Sequence, residues 1–195
     1  MKTRELIQIV TNLMSASLPL CCKYHSIEHT LDVWEAAKVI AKAENLSEHE
    51  TYLLEIAAIL HDVGFVRSTN FHEIHSCIVA SELLKDKFSH EDFATISSAI
   101  IATRVPQNPL TKLEQILCDA DLDYLGREDF KEIGDLLHTE LQCFGFKLSI
   151  KEWNLIQIKF LNHHNYHTEY SNAHRKTEKQ LHLNNLEDWV KRNNE

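Results

Sequence analysis

The stretch Leu53-Leu54-Glu55-Ile56-Ala57-Ala58-Ile59-Leu60-His61-Asp62-Val63-Gly64 decides how the rest of the chain is read. It describes an apolar helix whose last turn sets an imidazole beside a carboxylate. Burying such a pair costs solvation free energy unless it finds a partner. A divalent cation suits both groups, because imidazole nitrogen and carboxylate oxygen are each good ligands for zinc, iron, manganese and related ions. Two ligands do not fix a metal, so others must come from elsewhere in the chain.

Immediately upstream, Ser47 and Glu50 form a capping box that starts this helix, and Gly64 stands just beyond its end, where a left-handed residue is expected. Further back, Tyr24-His25-Ser26-Ile27-Glu28-His29 leads into a helix marked by Val33, Trp34, Ala37, Ile40 and Ala41 at helical spacing. His25 and His29 share a face if that helix has already begun. A first helix over residues 2–17 carries Leu6, Ile9, Val10, Leu13 and Met14 on one stripe and is stopped by Pro19.

Downstream, a helix covers about 72–87 and another starts at Ser89 and Asp92, with Thr103–Pro109 as a loop broken by Pro106 and Pro109. Leu113, Ile116, Leu117, Ala120 and Tyr124 mark a buried helix that ends among Asp119, Asp121 and Asp123. Helical spacing puts Asp119 furthest from the apolar stripe and leaves Asp121 and Asp123 flanking it on opposite sides. Periodicity alone does not choose between those two. Helices over about 128–144, 149–162 and 171–191 complete the chain, the last with a basic side at His174, Arg175, Lys176 and Lys179.

With 195 residues, 44% hydrophobic, and only 4 Gly and 3 Pro, the expected fold is all-α and a single domain over 1–195. A formal charge of -9 disfavours nucleic acid and anionic membranes as partners. A small anionic substrate still binds where a metal and local basic side chains reverse the field. No apolar run approaches the roughly 18 residues of a membrane span, and the first residues lack the apolar core of a signal peptide, so a soluble, cytoplasmic protein is expected. The 5 Cys are scattered without a C-x-x-C pair, which predicts free thiols rather than a disulfide framework or thiolate zinc site. The excess to be explained is in imidazole, with 13 His.

In order and spacing, His29, His61-Asp62 and Ala120-Asp121-Leu122 resemble the HD superfamily of metal-dependent phosphohydrolases, over roughly residues 24–126. That resemblance implies a helical bundle in which residues 128–191 complete the fold, and it selects Asp121 over Asp123. It also implies His29, His61, Asp62 and Asp121 as ligands of a divalent ion, with Mn, Mg, Zn, Fe, Co and Ni not distinguished. Tyr24-His25-Ser26-x-x-His29-x-x-Asp32-Val33 is similar to the first motif of cyclic-nucleotide phosphodiesterases, which implies His25 as general acid. Ser26 stands where that motif has Asn, so the cyclic-nucleotide substrate does not carry over. His72-Glu73-Ile74-His75 resembles the segment by which binuclear members hold a second metal, with His72 as the matching ligand. The paired His-His and Gly-Tyr-Pro of HD-GYP phosphodiesterases are lacking, and Phe65 replaces their lysine after the dyad.

The implied activity is hydrolysis of a phosphomonoester or phosphodiester of a nucleotide or small metabolite by metal-activated water. Asp62 would bind metal and orient the water, and His25 would protonate the leaving oxygen, a role suited to an imidazole. Arg67, Arg104, Arg175 and Lys176 are the candidate phosphate clamps, because phosphoryl transfer depends on positioning and charge stabilisation. The same fold also serves as a slow or non-catalytic nucleotide-binding regulatory module and, with more histidines, as a di-iron oxygenase.

Overall fold

A computed structural model of the chain describes residues 1–193. Its described residues form nine α-helices and no strand: α1 (Thr3–Ser17), α2 (Ile27–Ala43), α3 (Glu48–Leu60), α4 (His72–Leu83), α5 (His90–Ala102), α6 (Lys112–Asp121), α7 (Phe130–Cys143), α8 (Ile150–His163) and α9 (Glu169–Arg192). Short 3-10 turns at Val63–Val66 and Asp123–Gly126 follow α3 and α6. The fold is all-α, as composition and periodicity imply.

Helix starts follow local chemistry. Ser26, Ser47, Ser89, Thr111, Ser149 and Thr168 each accept a hydrogen bond from the backbone N–H three residues on, satisfying a donor that the helix itself leaves free. At Ser47, Thr111 and Ser149 the reciprocal glutamate completes a capping box. The Thr111–Glu114 box went unread in the sequence.

α3 is the hub. Leu54, Ile56, Ile59 and Leu60 on it are fully buried, and α1, α2, α5 and α6 pack around it. This arrangement brings the C-terminal end of α3 against the ends of the helices beside it. A second apolar cluster joins Tyr24, Leu122, Leu125 and Phe130 to Leu161 on α8 and Leu183 on α9. The C-terminal helices are thus packed on the side of the bundle where α6 ends.

Four sequence expectations change. Gly64 has no positive φ; it lies inside the turn after α3, where a Cβ would fall 2.0 Å from the His72 carbonyl oxygen and 2.5 Å from the Ser76 nitrogen. Close approach of α4, rather than backbone handedness, requires glycine there. Asp119 does not face outward: it is fully buried and accepts from the N–H of His167 at 2.9 Å, the N–H of Thr168 at 2.8 Å and the Thr168 hydroxyl at 2.7 Å. Lys179 is also buried, its ammonium donating to the Leu161 carbonyl at 3.2 Å and to that of His164. Cys21 and Cys143 form a disulfide, leaving Cys22, Cys77 and Cys118 free. Spacing rules look for local pairs, and these two are 122 positions apart, joined because the end of α7 packs beside the loop before α2.

Candidate metal centre

Three helices deliver one cluster. α2 carries His29, the end of α3 carries His61 and Asp62, and the last residue of α6 is Asp121. His29 Nε2 lies 3.2 Å from Asp121 Oδ1 and 3.5 Å from Asp62 Oδ2. His61 Nε2 lies 3.2 Å from Asp62 Oδ2 and 3.4 Å from Asp121 Oδ1. His29, His61 and Asp121 each offer a ligand atom within 4.8 Å of the others. Asp123 is excluded from this group because Arg175 takes both its oxygens, at 2.8 and 3.2 Å.

The donor set fits a divalent cation on two observations. His61 Nδ1 donates to the Ala58 carbonyl at 2.8 Å, which fixes the proton on that nitrogen and turns the lone pair of Nε2 to the cluster. His61 Nε2 and Asp62 Oδ2 are enclosed without hydrogen-bond partners, although only 3.2 Å apart. An ion between them satisfies both. Without one, burial opposes charge on His61, but Asp62 and Asp121 outweigh it and hold its pKa well above the ordinary value. Burial likewise opposes ionisation of both carboxylates, yet the histidines keep Asp62 well below the usual range and Asp121 at about 2. The site thus favours positive charge, and a cation would compete with a proton for it.

Asp62 turns its second oxygen the other way. Oδ1 lies 3.3 Å from His72 Nε2 at the start of α4, and Glu73 Oε1 is 3.6 Å from the same nitrogen. Burial opposes charge on His72, and Asp62 and Glu73 outweigh it to raise its pKa. Phe65 fills the space between His72 and His25, with ring centroids 4.3 and 4.0 Å away.

His25 precedes α2, since Ser26 is the N-cap, so the two motif histidines do not share a helix face. Its ring centroid is 6.3 Å from that of His29. The His25 Nδ1 pairs with Glu140 Oε1, and Glu140 Oε2 accepts from the N–H of Lys23, Tyr24 and His25 at 2.8, 2.9 and 3.1 Å. Burial opposes the charge on Glu140, and His25 with these backbone donors keeps its pKa low. Glu140 was missed in the sequence. It lies 115 residues from His25, on a helix without a motif, and no local signal marks it.

His25, Asp62, His72 and Asp121 line one end of a cavity of about 540 Å³. Of the four basic residues expected as clamps, Arg104 lines it, with its guanidinium 5.1 Å from the Phe71 ring centroid. Arg67 instead pairs with Glu82 at 2.5 Å, and Arg175 with Asp123 on the far side of α6. Lys176 is exposed on α9 and forms no part of the cavity wall.

No helix of the described residues is long and apolar enough to cross a membrane. Comparison with curated proteins finds no match. The family model described as HD domain matches residues 26–123, half of the chain and the whole span from the N-cap of α2 to the residue after the Asp121–Leu122 corner. With the His29, His61-Asp62 and Asp121 side chains gathered inside that span, the chain belongs to the HD domain family.

Proposed function

We propose that the protein is a metal-dependent phosphohydrolase that cleaves a phosphomonoester or phosphodiester of a small molecule. The observation that carries this reading is the convergence of His29 and His61 on both Asp62 Oδ2 and Asp121 Oδ1, beside a cavity also lined by His25. His29, His61, Asp62 and Asp121 would hold a divalent cation, which would supply an activated water and draw charge from a phosphoryl oxygen.

The protein's own groups do the rest. Glu140 holds His25 by Nδ1, so Nε2 is the nitrogen left to carry a proton to the leaving oxygen. Arg104 is the cationic side chain at the cavity wall and serves as phosphate clamp. Arg67, Arg175 and Lys176 do not reach the cavity and are not assigned that role. Asp62 Oδ1 and His72, 3.3 Å apart, would be the residues to hold a second cation. The expected partner is a small phosphorylated molecule rather than nucleic acid or membrane, in keeping with the net charge of -9. A cytoplasmic setting follows from the sequence expectation, with the Cys21–Cys143 disulfide as the feature opposed to it.

Asp62→Ala tests the reading. It should abolish both bound metal, by elemental analysis, and hydrolysis across a panel of phosphoesters, while the circular dichroism stays helical. Undiminished turnover in that variant would refute the assignment.

A further inference from the structure

Resting on the hydrolase reading, we propose that the substrate's leaving group is apolar, an alkyl or aryl moiety rather than a nucleoside. The cavity lining has two unlike parts. Besides the polar cluster, its wall includes Leu125, Phe130, Leu137, Trp153, Phe160 and Leu161. Apart from Leu125, these come from α7 and α8, outside the stretch that the HD family model matches. The family motif therefore provides the reacting end, and the C-terminal helices provide the specificity.

Polar side chains in the apolar part are few: Tyr124, Trp153 and Gln157. Trp153 is 5% exposed, its Nε1 is enclosed without a partner, and its ring is held flat against His138 with centroids 5.4 Å apart. The enclosed Nε1 offers the cavity no surface, so Trp153 contributes its ring to the apolar wall. Gln157 donates its amide to Asn154 at 3.3 Å. A nucleoside would bring ribose hydroxyls and several base-edge donors and acceptors, and most would be buried there unpaired. Arg104 is the one lysine or arginine among the lining residues, which suits one phosphoryl group and not a polyphosphate chain. A volume of about 540 Å³ is in the range of small-molecule sites and exceeds what a phosphate alone needs.

The chemistry is ordinary hydrolysis. Water oxygen bonds to phosphorus and gives up a proton to solvent, the bond from phosphorus to the leaving oxygen breaks, and the electron pair stays on that oxygen, which takes the proton from His25. His25 regains a proton from solvent, so the net change is addition of water across the bond. The products are an apolar alcohol and a phosphate.

Calorimetry with manganese-loaded protein and a series from ethyl- to octylphosphonate tests the apolar arm without turnover. Affinity should rise about fourfold per added methylene until the cavity is full. Leu137→Gln should flatten the series. A flat series in the wild-type protein, or adenosine 5′-monophosphate binding more tightly than octylphosphonate, overturns the proposal. Turnover of octyl phosphate separates the two readings. Chain-length-dependent binding without any hydrolysis sinks the hydrolase reading and keeps the arm, whereas hydrolysis with a flat series does the reverse.

Discussion

His164 sits at the join between α8 and α9, where the Lys179 ammonium lies 3.3 Å from its Nδ1 and its Nε2 is enclosed without a partner. Burial, then the charges of Lys179 and His167, push its pKa from the ordinary 6.5 down to about 3. The folded protein therefore holds this ring neutral while the unfolded chain protonates it. Stability from that difference is present above pH 6.5 and is lost as pH falls from there toward about 3. His164→Gln removes the titration, so its melting temperature should fall less steeply than wild type on acidification, by a few degrees at about pH 4. Parallel curves for the two proteins would contradict this account. The same residue scale separates what was legible from what was not. His61-Asp62 is written as a dipeptide ending an apolar run, and His29 and Asp121 stand in family motifs, so the cluster could be read in the chain. Glu140, Trp153 and the burial of Asp119 could not, because each acquires its meaning from a partner brought in by folding.

Helix starts were legible for a physical reason: a Ser or Thr cap and its glutamate lie within one turn of each other, so the interaction is local in sequence. Turns after helices are less so, since a glycine serves either a left-handed backbone or a close approach, and the letters do not say which. Gly64 and Gly145 are one of each. Gly145 has φ of 96° and open space within 4 Å of where a Cβ would stand, whereas a Cβ at Gly64 meets the His72 carbonyl at 2.0 Å. Alanine at Gly145 incurs only the backbone strain, about 1 kcal/mol. Alanine at Gly64 must push α4 away, breaking the Ser76 hydroxyl's paired bonds to Gly64 N–H and the His61 carbonyl, at 2.8 and 2.6 Å. The expected cost is about 3 kcal/mol by urea unfolding, with His72 carried away from Asp62. If Gly64→Ala costs no more than Gly145→Ala, the close approach of α4 is not what that position serves.

The whole molecule joins α2 to α6, which carry the candidate metal ligands, to α7 and α8, which wall the cavity, with α9 packed behind them. Besides the apolar cluster around Leu125 and Leu161, polar links hold the C-terminal helices to the rest: Asp119 capping the start of α9, Arg175 on Asp123, Arg127 bonded to Asp32 at 2.9 Å, Glu44 accepting from the Tyr170 N–H at 2.9 Å, Glu140 on His25, and the Cys21–Cys143 disulfide. The disulfide is covalent and closes a loop of 122 positions, so in a chain-entropy account it restricts the unfolded chain strongly. It also ties the end of α7 to the segment whose three N–H groups rest on Glu140. Cys143→Ser should therefore lower stability by about 2–4 kcal/mol. Reductant should lower the wild-type melting temperature to that of the variant and leave the variant itself unmoved. Metal content should survive in both, because His29, His61, Asp62 and Asp121 lie on α2, α3 and α6 and their junctions, away from the bridge. Loss of metal together with the disulfide would mean that the two parts do not hold their structures separately, and that the C-terminal helices position the ligands as well as the cavity wall.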